Sequence, residues 1–182
     1  MKLHTERLRL REIETTDADA MYVWHVDPRY LEHYPVERMS IQDTRDLVER
    51  FIGWQRELPR WRWQLALELR ESGVLIGSCG VRRTTVDATT ADVGYELNPE
   101  VWGRGYATEA LRAMVEFAFA DLGLSELNAR SVDTNARSIR LLESLGFSHA
   151  LSLSPGRGRD GRFWPERSEY QLPRDRWRSA QP

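Results

Sequence analysis

The sequence predicts a mixed α/β fold whose central sheet is largely antiparallel. The predicted elements follow the order β-α-α-β-β-β-α-β-α-β-β, so about seven strands are flanked by about four helices. Three of these strands follow one another without an intervening helix, and strands joined by short turns pair antiparallel. The chain has 182 residues, of which 41% are hydrophobic, and this length fits a single domain with a substantial core.

One strand and two helices precede the three successive strands. Apolar residues alternate with arginines over residues 8–11, which predicts a strand with one polar face. Thr16 and Ser40 are each followed three residues later by an aspartate, a spacing that resembles a capping box and predicts a helix start. The first helix is expected to run to about Val26, and Pro59 is expected to stop the second. The apolar residues of the second helix recur at helical spacing, at Leu47, Phe51, Trp54 and Leu58.

The three successive strands begin with an expected hairpin. Alternating apolar residues predict strands over residues 63–69 and 74–81, and the turn between them is Glu71-Ser72-Gly73. A polar connection over residues 83–90 leads to the third strand.

The C-terminal part of the chain is predicted to combine a helix with further strands. The helix covers residues 135–145 and is expected to end at Gly146, because glycine favours the left-handed conformation that closes many helices. Residues 154–166 are too rich in glycine and proline to predict regular structure. The predicted strands cover residues 127–132, 147–153 and 167–172.

The stretch between residues 91 and 118 carries the strongest functional pattern. The odd-numbered residues from Val93 to Leu97 are apolar, and the even-numbered residues from Asp92 to Glu96 are acidic or glycine. This period of two predicts a strand that presents two carboxylates on one face.

Two glycines, Gly103 and Gly105, lie between this strand and a helix predicted to begin at Tyr106. The first amides of a helix have no internal acceptor, and glycine has no Cβ atom that would hold a phosphate away. The loop therefore fits a diphosphate, although a tight strand-to-helix turn with a glycine cap also explains it. It matches neither a Walker A loop nor a dinucleotide fingerprint, because the required lysine and third glycine are absent.

The run Trp102-Gly103-Arg104-Gly105-Tyr106-Ala107 resembles motif A of the GNAT superfamily of acyl-CoA N-acyltransferases, and most resembles the RimJ/RimL-type branch. The superfamily pattern is Gln/Arg-x-x-Gly-x-Gly/Ala, so only the first position departs from it. The resemblance covers about Thr5 to Trp177 and implies one GNAT domain over residues 5–177 with a short tail, 178–182. It implies acetyl-CoA as the co-substrate, bound by Leu97, Gly103, Arg104, Gly105, Tyr106, Ala107, Thr108, Asn135 and Ser138.

A second run, Asn135 to Phe147, resembles motif B of the same superfamily. The resemblance implies that Asn135 contacts the pantetheine arm, and an N-cap role for this residue is an alternative that does not exclude the first. Many family members have a tyrosine in this helix that protonates the departing thiolate, but the corresponding position here is Leu142. In Rim-type relatives a serine at the fourth motif position is proposed for this role, which makes Ser138 a candidate catalytic residue.

Transfer of an acetyl group to an amine requires a base, because most of an aliphatic amine is protonated at neutral pH. Glu96 and Asp92 are the candidate bases, since they are the carboxylates nearest to the expected co-substrate site. The alternative is that both are solvated or paired, as acidic residues on half-exposed strands commonly are. A backbone N–H near Leu97 is expected to donate to the oxyanion that forms when the amine attacks the thioester. Arg137 and Arg140 are candidates for binding the 3′-phosphate of the co-substrate.

Composition excludes several other functions. A net charge of −2 gives no reason to expect nucleic-acid binding, and a single cysteine allows neither an internal disulfide nor a cysteine metal cluster. The four histidines show no spacing typical of a metal site. The N-terminal residues lack the apolar segment of a secretory signal, and no run of 18 apolar residues predicts a membrane span, so we expect a soluble cytoplasmic protein. A homodimer stays an open alternative.

The acceptor is not specified by any motif. Resemblance to the RimJ/RimL-type branch favours a protein N-terminal α-amine. A small-molecule amine, such as a polyamine, an amino acid or an antibiotic, is the close alternative. A regulatory module that binds CoA without turnover is a third hypothesis, since the motif B tyrosine is missing.

Overall fold

An eight-stranded, mostly antiparallel sheet organises the residues that the computed structural model describes, namely 1–34, 39–157 and 163–179. This architecture confirms the predicted mixed α/β class. The strands are β1 (Lys2–His4), β2 (Leu8–Glu12), β3 (Arg62–Leu69), β4 (Leu75–Arg83), β5 (Thr90–Leu97), β6 (Glu126–Val132), β7 (Ser148–Leu153), β8 (Gly156–Arg157), β9 (Phe163–Trp164) and β10 (Arg167–Pro173). The helices are α1 (Asp17–His25), α2 (Pro28–Leu31), α3 (Ile41–Gln55), α4 (Tyr106–Ala120), α5 (Ala136–Ser144) and α6 (Arg174–Ser179).

Two neighbouring strands in the middle of the main sheet, β5 and β6, pair over only part of their length. Its strand order is β1-β2-β3-β4-β5-β6-β10-β7, and every neighbouring pair is antiparallel except β5 and β6. That parallel pair is short, because only Thr90–Asp92 pairs with Glu126–Asn128. Beyond this point β5 continues beside β4 as far as Leu97, whereas β6 continues beside β10. The two strands therefore separate and leave a gap within the sheet.

Helices cover both faces of the sheet. On one face, α4 buries the predicted apolar residues Leu111, Met114 and Ala118 against Val93 and other strand residues. On the other face, α1 and α3 pack over β3 at Ala66. Because side chains alternate along a strand, the even-numbered residues of β5, including Glu96, point to the α1–α3 face.

Several predicted boundaries are wrong. The sheet begins before Thr5, because β1 pairs with β2. Helix α3 ends at Gln55, and Leu58 is 95% exposed instead of continuing the apolar face. Residues 154–166 are not wholly irregular, since β8 and β9 form a small hairpin, although residues 158–162 lie outside the described part of the chain. Helices α2 and α6 were not predicted, because each has at most six residues and too little periodicity to detect.

The two predicted capping boxes have different outcomes. At α3 the box is present, since the Ser40 hydroxyl accepts from the Asp43 amide at 3.1 Å and the Asp43 carboxylate accepts from the Ser40 amide at 2.8 Å. At α1 it is absent, because Thr16 has a helical backbone conformation and no side-chain capping bond. The Asp17 carboxylate, held by Arg11 at 2.7 Å, instead accepts from the Glu14 amide. Within the described ranges, no helix combines the length and apolar character needed to cross a bilayer.

The contrast between the two caps gives a stability prediction. We expect Ser40→Ala to lower the free energy of unfolding by about 1 kcal/mol, because the Asp43 amide in the first turn of α3 loses its acceptor. The matched variant Thr16→Ala removes no capping bond, and we expect it to change the free energy of unfolding by less than about 0.5 kcal/mol. Urea unfolding of both variants measures the difference, and equal losses would contradict the assignment.

Candidate functional site

Two adjoining cavities lie at the gap between β5 and β6. The first has a volume of about 500 Å³ and is bounded by the end of β5, the glycine loop, the start of α4 and the start of α5. The second, of about 380 Å³, lies beside β5 and reaches β4, β6 and α3. The two cavities share seven lining residues, which are Tyr30, His33, Tyr34, Tyr95, Glu96, Asn135 and Ser138.

The predicted site residues divide between these cavities. Both cavities are lined by Glu96, Asn135 and Ser138, whereas Asp92 lines only the second cavity. The side chain of Arg104 is exposed, and Arg104 is not part of the lining of either cavity. The residues that line only the first cavity include Leu97, Gly103, Gly105, Tyr106, Ala107 and Thr108.

The glycine loop presents unpaired amides to the first cavity. Gly103 and Gly105 have φ angles of +77° and +79°, a region that side chains with a Cβ atom rarely adopt. Gly105 caps α4 without a side-chain hydrogen bond, and the first amide bonded back to it is that of Glu109, at 3.1 Å. The amides of residues 106–108 therefore have no intrahelical acceptor, and together with the helix dipole they form a seat for an anion.

Hydrogen bonds from Thr5 and Arg7 hold the glycine loop in place. The Glu109 carboxylate accepts from the Thr5 hydroxyl at 2.5 Å and from the Arg7 amide and guanidinium at 2.8 and 2.7 Å. The Arg7 guanidinium also donates to the Arg104 carbonyl at 2.9 Å and lies 4.6 Å from the Tyr106 ring centroid. Sequence reasoning missed this contact, because Thr5 and Arg7 lie 104 and 102 residues before Glu109.

Trp102, the position that departs from the superfamily pattern, joins the loop to the strand. Its indole nitrogen donates to the Leu97 carbonyl at 3.0 Å, and the Arg137 guanidinium lies 5.5 Å from its ring centroid. Arg137 and Arg140 are exposed and line the first cavity, which gives this end of the site positive charge.

The start of α5 places two further polar groups at the junction of the cavities. The side-chain oxygen Oδ1 of Asn135 accepts from the Ser138 backbone amide at 3.1 Å, so Asn135 is an N-cap. The side-chain nitrogen Nδ2 of Asn135 has no acceptor among the described residues and remains a donor toward the site. Leu142, which occupies the position of the family tyrosine, is 2% exposed and packs in the core.

Glu96 is held by donors from three different elements. Its Oε1 accepts from the Ser78 hydroxyl at 2.9 Å, and its Oε2 accepts from the Tyr30 hydroxyl at 2.5 Å. The His25 Nε2 lies 3.4 Å from the same Oε2, and the Nδ1 of this ring lies 2.9 Å from the Thr44 hydroxyl. We refer to these five residues, His25, Tyr30, Thr44, Ser78 and Glu96, as the Glu96 cluster.

The Glu96 cluster determines the charge state of the carboxylate. Burial raises the pKa of Glu96, but the bonds from His25, Tyr30 and Ser78 together lower it below its ordinary value. Burial beside this carboxylate raises the pKa of Tyr30 well above its ordinary value, so the phenol stays a donor. A carboxylate has about four acceptor positions, and three are used, so one remains on Oε1 for a further donor.

The second predicted carboxylate, Asp92, has a different environment. It is 33% exposed and lies 3.5 Å from the Arg130 guanidinium, which also pairs with Glu169 at 2.7 Å. Four residues along a strand span about 13 Å, so Asp92 and Glu96 do not act on one another's protons directly. Across the described ranges, no group of three His, Cys, Asp or Glu side chains is arranged to hold a metal ion.

Comparison with known proteins points to one family. A family model described as an acetyltransferase (GNAT) domain matches residues 7–148. YoaA, an uncharacterized N-acetyltransferase of Bacillus subtilis, is 34% identical over 146 residues, which span 80% of this chain and 81% of YoaA.

Two solved structures show the same fold. Mycobacterium smegmatis RimJ in complex with CoA-disulfide has a TM-score of 0.77 at 21% identity, and the match covers 92% of this chain and 82% of that chain. Spermidine N-acetyltransferase from Vibrio cholerae, in complex with CoA and spermine, has a TM-score of 0.77 at 17% identity, with coverages of 95% and 99%.

The depressed pKa of Glu96 predicts a pH-dependent contribution to stability. A carboxylate whose folded pKa lies below its unfolded value of about 4.3 stabilises the fold above that pH and loses this contribution as the pH falls through the folded pKa. We therefore expect the loss of unfolding free energy in Glu96→Gln to shrink between about pH 6 and pH 3. Urea unfolding at several pH values measures it.

The matched control is Glu71→Gln in the exposed hairpin turn, which is expected to change the unfolding free energy by less than about 0.5 kcal/mol at every pH. A difference between parent and Glu96→Gln that grows as the pH falls would show that Glu96 is protonated in the native state near neutrality.

Proposed function

The chain belongs to the GNAT acetyltransferase family, with acetyl-CoA as its co-substrate, and we propose that it transfers the acetyl group directly to a primary amine. One observation carries the proposal: Glu96, an ionised carboxylate with one acceptor position left, lies where the two cavities meet. The first cavity then holds the co-substrate, and the second admits the amine.

The residues of the first cavity fit acetyl-CoA, which supplies an acetyl group activated as a thioester. The unpaired amides of residues 106–108 and the Cβ-free loop suit its diphosphate. Arg137 and Arg140 place two guanidinium groups at the same cavity for its remaining phosphate. The free amide donor of Asn135 suits the peptide-like groups of the pantetheine arm.

In this proposal Glu96 is the catalytic base. A primary amine arrives mostly as its ammonium form, because aliphatic amines have pKa values of about 8 to 10. Glu96 accepts one ammonium N–H at its free Oε1 position and takes that proton, which leaves a neutral amine whose lone pair attacks the thioester carbonyl. The surrounding donors keep the carboxylate oriented and ionised before the amine binds.

Two groups at the junction of the cavities are assigned the protonation of the thiolate and the stabilisation of the oxyanion. Ser138 is proposed to donate a proton to the departing thiolate and to recover one from the nitrogen of the tetrahedral intermediate, and the backbone N–H at Leu97 is proposed to meet the oxyanion. Burial raises the pKa of the neighbouring Tyr95, and the Ser138 hydroxyl acts in the opposite direction. A covalent acetyl-cysteine is not part of the mechanism, because Cys79 is fully buried and burial raises its pKa to about 12.

A protein N-terminal α-amine is the leading acceptor, on the resemblance to the RimJ/RimL-type branch. A small-molecule amine is the second candidate, because the second cavity of about 380 Å³ falls in the size range of small-molecule sites. The named functions of the two structural neighbours do not decide between them, since one is RimJ and the other acetylates spermidine.

Calorimetric titration with CoA tests the co-substrate site. Gly105→Ala introduces a Cβ atom at φ +79° and 3.3 Å from Arg7, and we expect it to weaken CoA binding by roughly tenfold or more because the amides of residues 106–108 are displaced. The matched variant Gly123→Ala carries the same backbone strain, at φ +66°, but lies at the far end of α4. It is expected to bind CoA as the parent does, and equal affinities for all three proteins would remove the loop from the binding site.

Release of free thiol from acetyl-CoA, measured with a panel of peptides and small amines, tests the transfer. We expect turnover in the parent and a decrease in kcat of roughly a hundredfold in Glu96→Gln, since the amide cannot accept the proton. Asp92→Asn is expected to lower kcat much less, because Asp92 pairs with Arg130 away from the junction of the cavities.

Each alternative outcome has a distinct meaning. Binding of CoA without thiol release for any amine would favour the non-catalytic regulatory module. A larger loss in Asp92→Asn than in Glu96→Gln would transfer the role of base to Asp92.

A further inference from the structure

The second cavity contains a guanidinium group that the proposed chemistry does not use. Arg82 lies on β4, and its side chain crosses Gly94 on the neighbouring strand, where an added Cβ atom would lie 2.9 Å from Nη2. Its Nη1 donates to the Gln64 side-chain oxygen at 2.7 Å, and Arg82 lines the second cavity. The absence of a side chain at Gly94 thus gives the guanidinium its path to the cavity.

This guanidinium lacks a directly bound anion. Arg130, the other cation of the cavity, is paired with Glu169 and Asp92. Among the described residues, no carboxylate lies within ion-pair distance of Arg82, and Asp92 acts on it only at longer range. Burial lowers the pKa of Arg82, and the charges of Asp92 and Glu96 oppose that effect. A desolvated guanidinium bonded to a neutral amide is costly and is typical of a site that receives an anion.

Arg82 and Glu96 lie at the two ends of one polar row on the same face of the sheet. Between them, the Gln64 side-chain nitrogen donates to the Ser78 hydroxyl at 2.8 Å, and this hydroxyl donates to Glu96 at 2.9 Å. Only one amide and one hydroxyl therefore separate the cation from the carboxylate. A ligand in the second cavity meets a negative group at the junction with the first cavity and a positive group further along.

We propose that the second cavity selects acceptors that carry an anionic group, such as a carboxylate, a few bonds away from the primary amine. The ammonium group lies against Glu96, and the anionic group pairs with the Arg82 guanidinium. A second cationic group would instead meet the Arg82 guanidinium, so diamines and polyamines are poor acceptors. This inference rests on the proposed function, because it assigns the acceptor class of the same site.

Three five-carbon amines that differ only at the far end test the inference: δ-aminovalerate, n-pentylamine and cadaverine. We expect kcat/KM to fall in that order, with δ-aminovalerate favoured over n-pentylamine by roughly tenfold, the usual value of a hydrogen bond between charged groups. If only peptides are acetylated, the same ranking is measured with three peptides whose second residue is Glu, Gln or Lys.

Variants of Arg82 assign the preference to this residue. Arg82→Gln is expected to reduce the ratio of kcat/KM for δ-aminovalerate to that for n-pentylamine toward one, and Arg82→Lys is expected to keep part of it. The control Arg45→Gln removes an exposed guanidinium of α3 outside both cavities and is expected to leave the ratio at its parent value. Calorimetry with CoA confirms that each variant is folded. If Arg82→Gln does not fold, competitive inhibition of the parent by valerate against the amine replaces it.

The outcomes separate the inference from the proposed function. Equal rates with the three amines, a preference for cadaverine, or no inhibition by valerate would overturn the inference while acetyl transfer stands. Absence of thiol release with every amine and peptide would overturn the proposed function and the inference with it.

Discussion

The short parallel pairing between β5 and β6 is the constraint on which the site depends. Because these strands pair only over Thr90–Asp92 and Glu126–Asn128, the backbone of β5 beyond Asp92 has a partner on one side only. A continuous sheet would place β6 against Glu96 and close both cavities. The gap instead brings together the end of β5, the N-terminus of α4 and the N-terminus of α5. Two helix N-termini and a half-paired strand supply unpaired amides at one place, which is unusual in a folded interior.

Polar contacts hold the two chain segments that border this gap on the β5 side. Thr5 and Arg7 bind Glu109 and fix the loop that precedes α4. The Glu96 cluster ties the end of β5 to α1, α2 and α3 through buried hydrogen bonds. Buried polar groups are costly unless they are hydrogen-bonded, and the three donors to Glu96 fix the orientation of its carboxylate. The carboxylate is therefore oriented before an amine binds.

Local patterns predicted the parts of the structure that depend on neighbouring residues. The Ser40 capping box, the left-handed Gly146 after α5, and the N-cap at Asn135 all follow from spacing along the chain. The capping box predicted at Thr16 was wrong, because Thr16 has a helical backbone and the Asp17 carboxylate, bound by Arg11 of β2, accepts from the Glu14 amide instead. The partners of Glu96 were likewise not predictable from local spacing. His25 and Tyr30 precede it by 71 and 66 residues and belong to no motif, so only the folded chain brings them together.

The arrangement of the two cavities favours a ternary complex over a covalent enzyme intermediate. The first cavity is bordered by Arg137, Arg140 and a helix N-terminus, which suits a polyanion, whereas the second is lined by residues of β4, β6 and α3. Both meet at Glu96, so the two substrates of the proposed reaction approach the same carboxylate from different sides without displacing one another. A ping-pong route needs a nucleophile at that junction, and Cys79 is fully buried with a raised pKa. Direct transfer is therefore the route that the positions of Glu96 and Ser138 support.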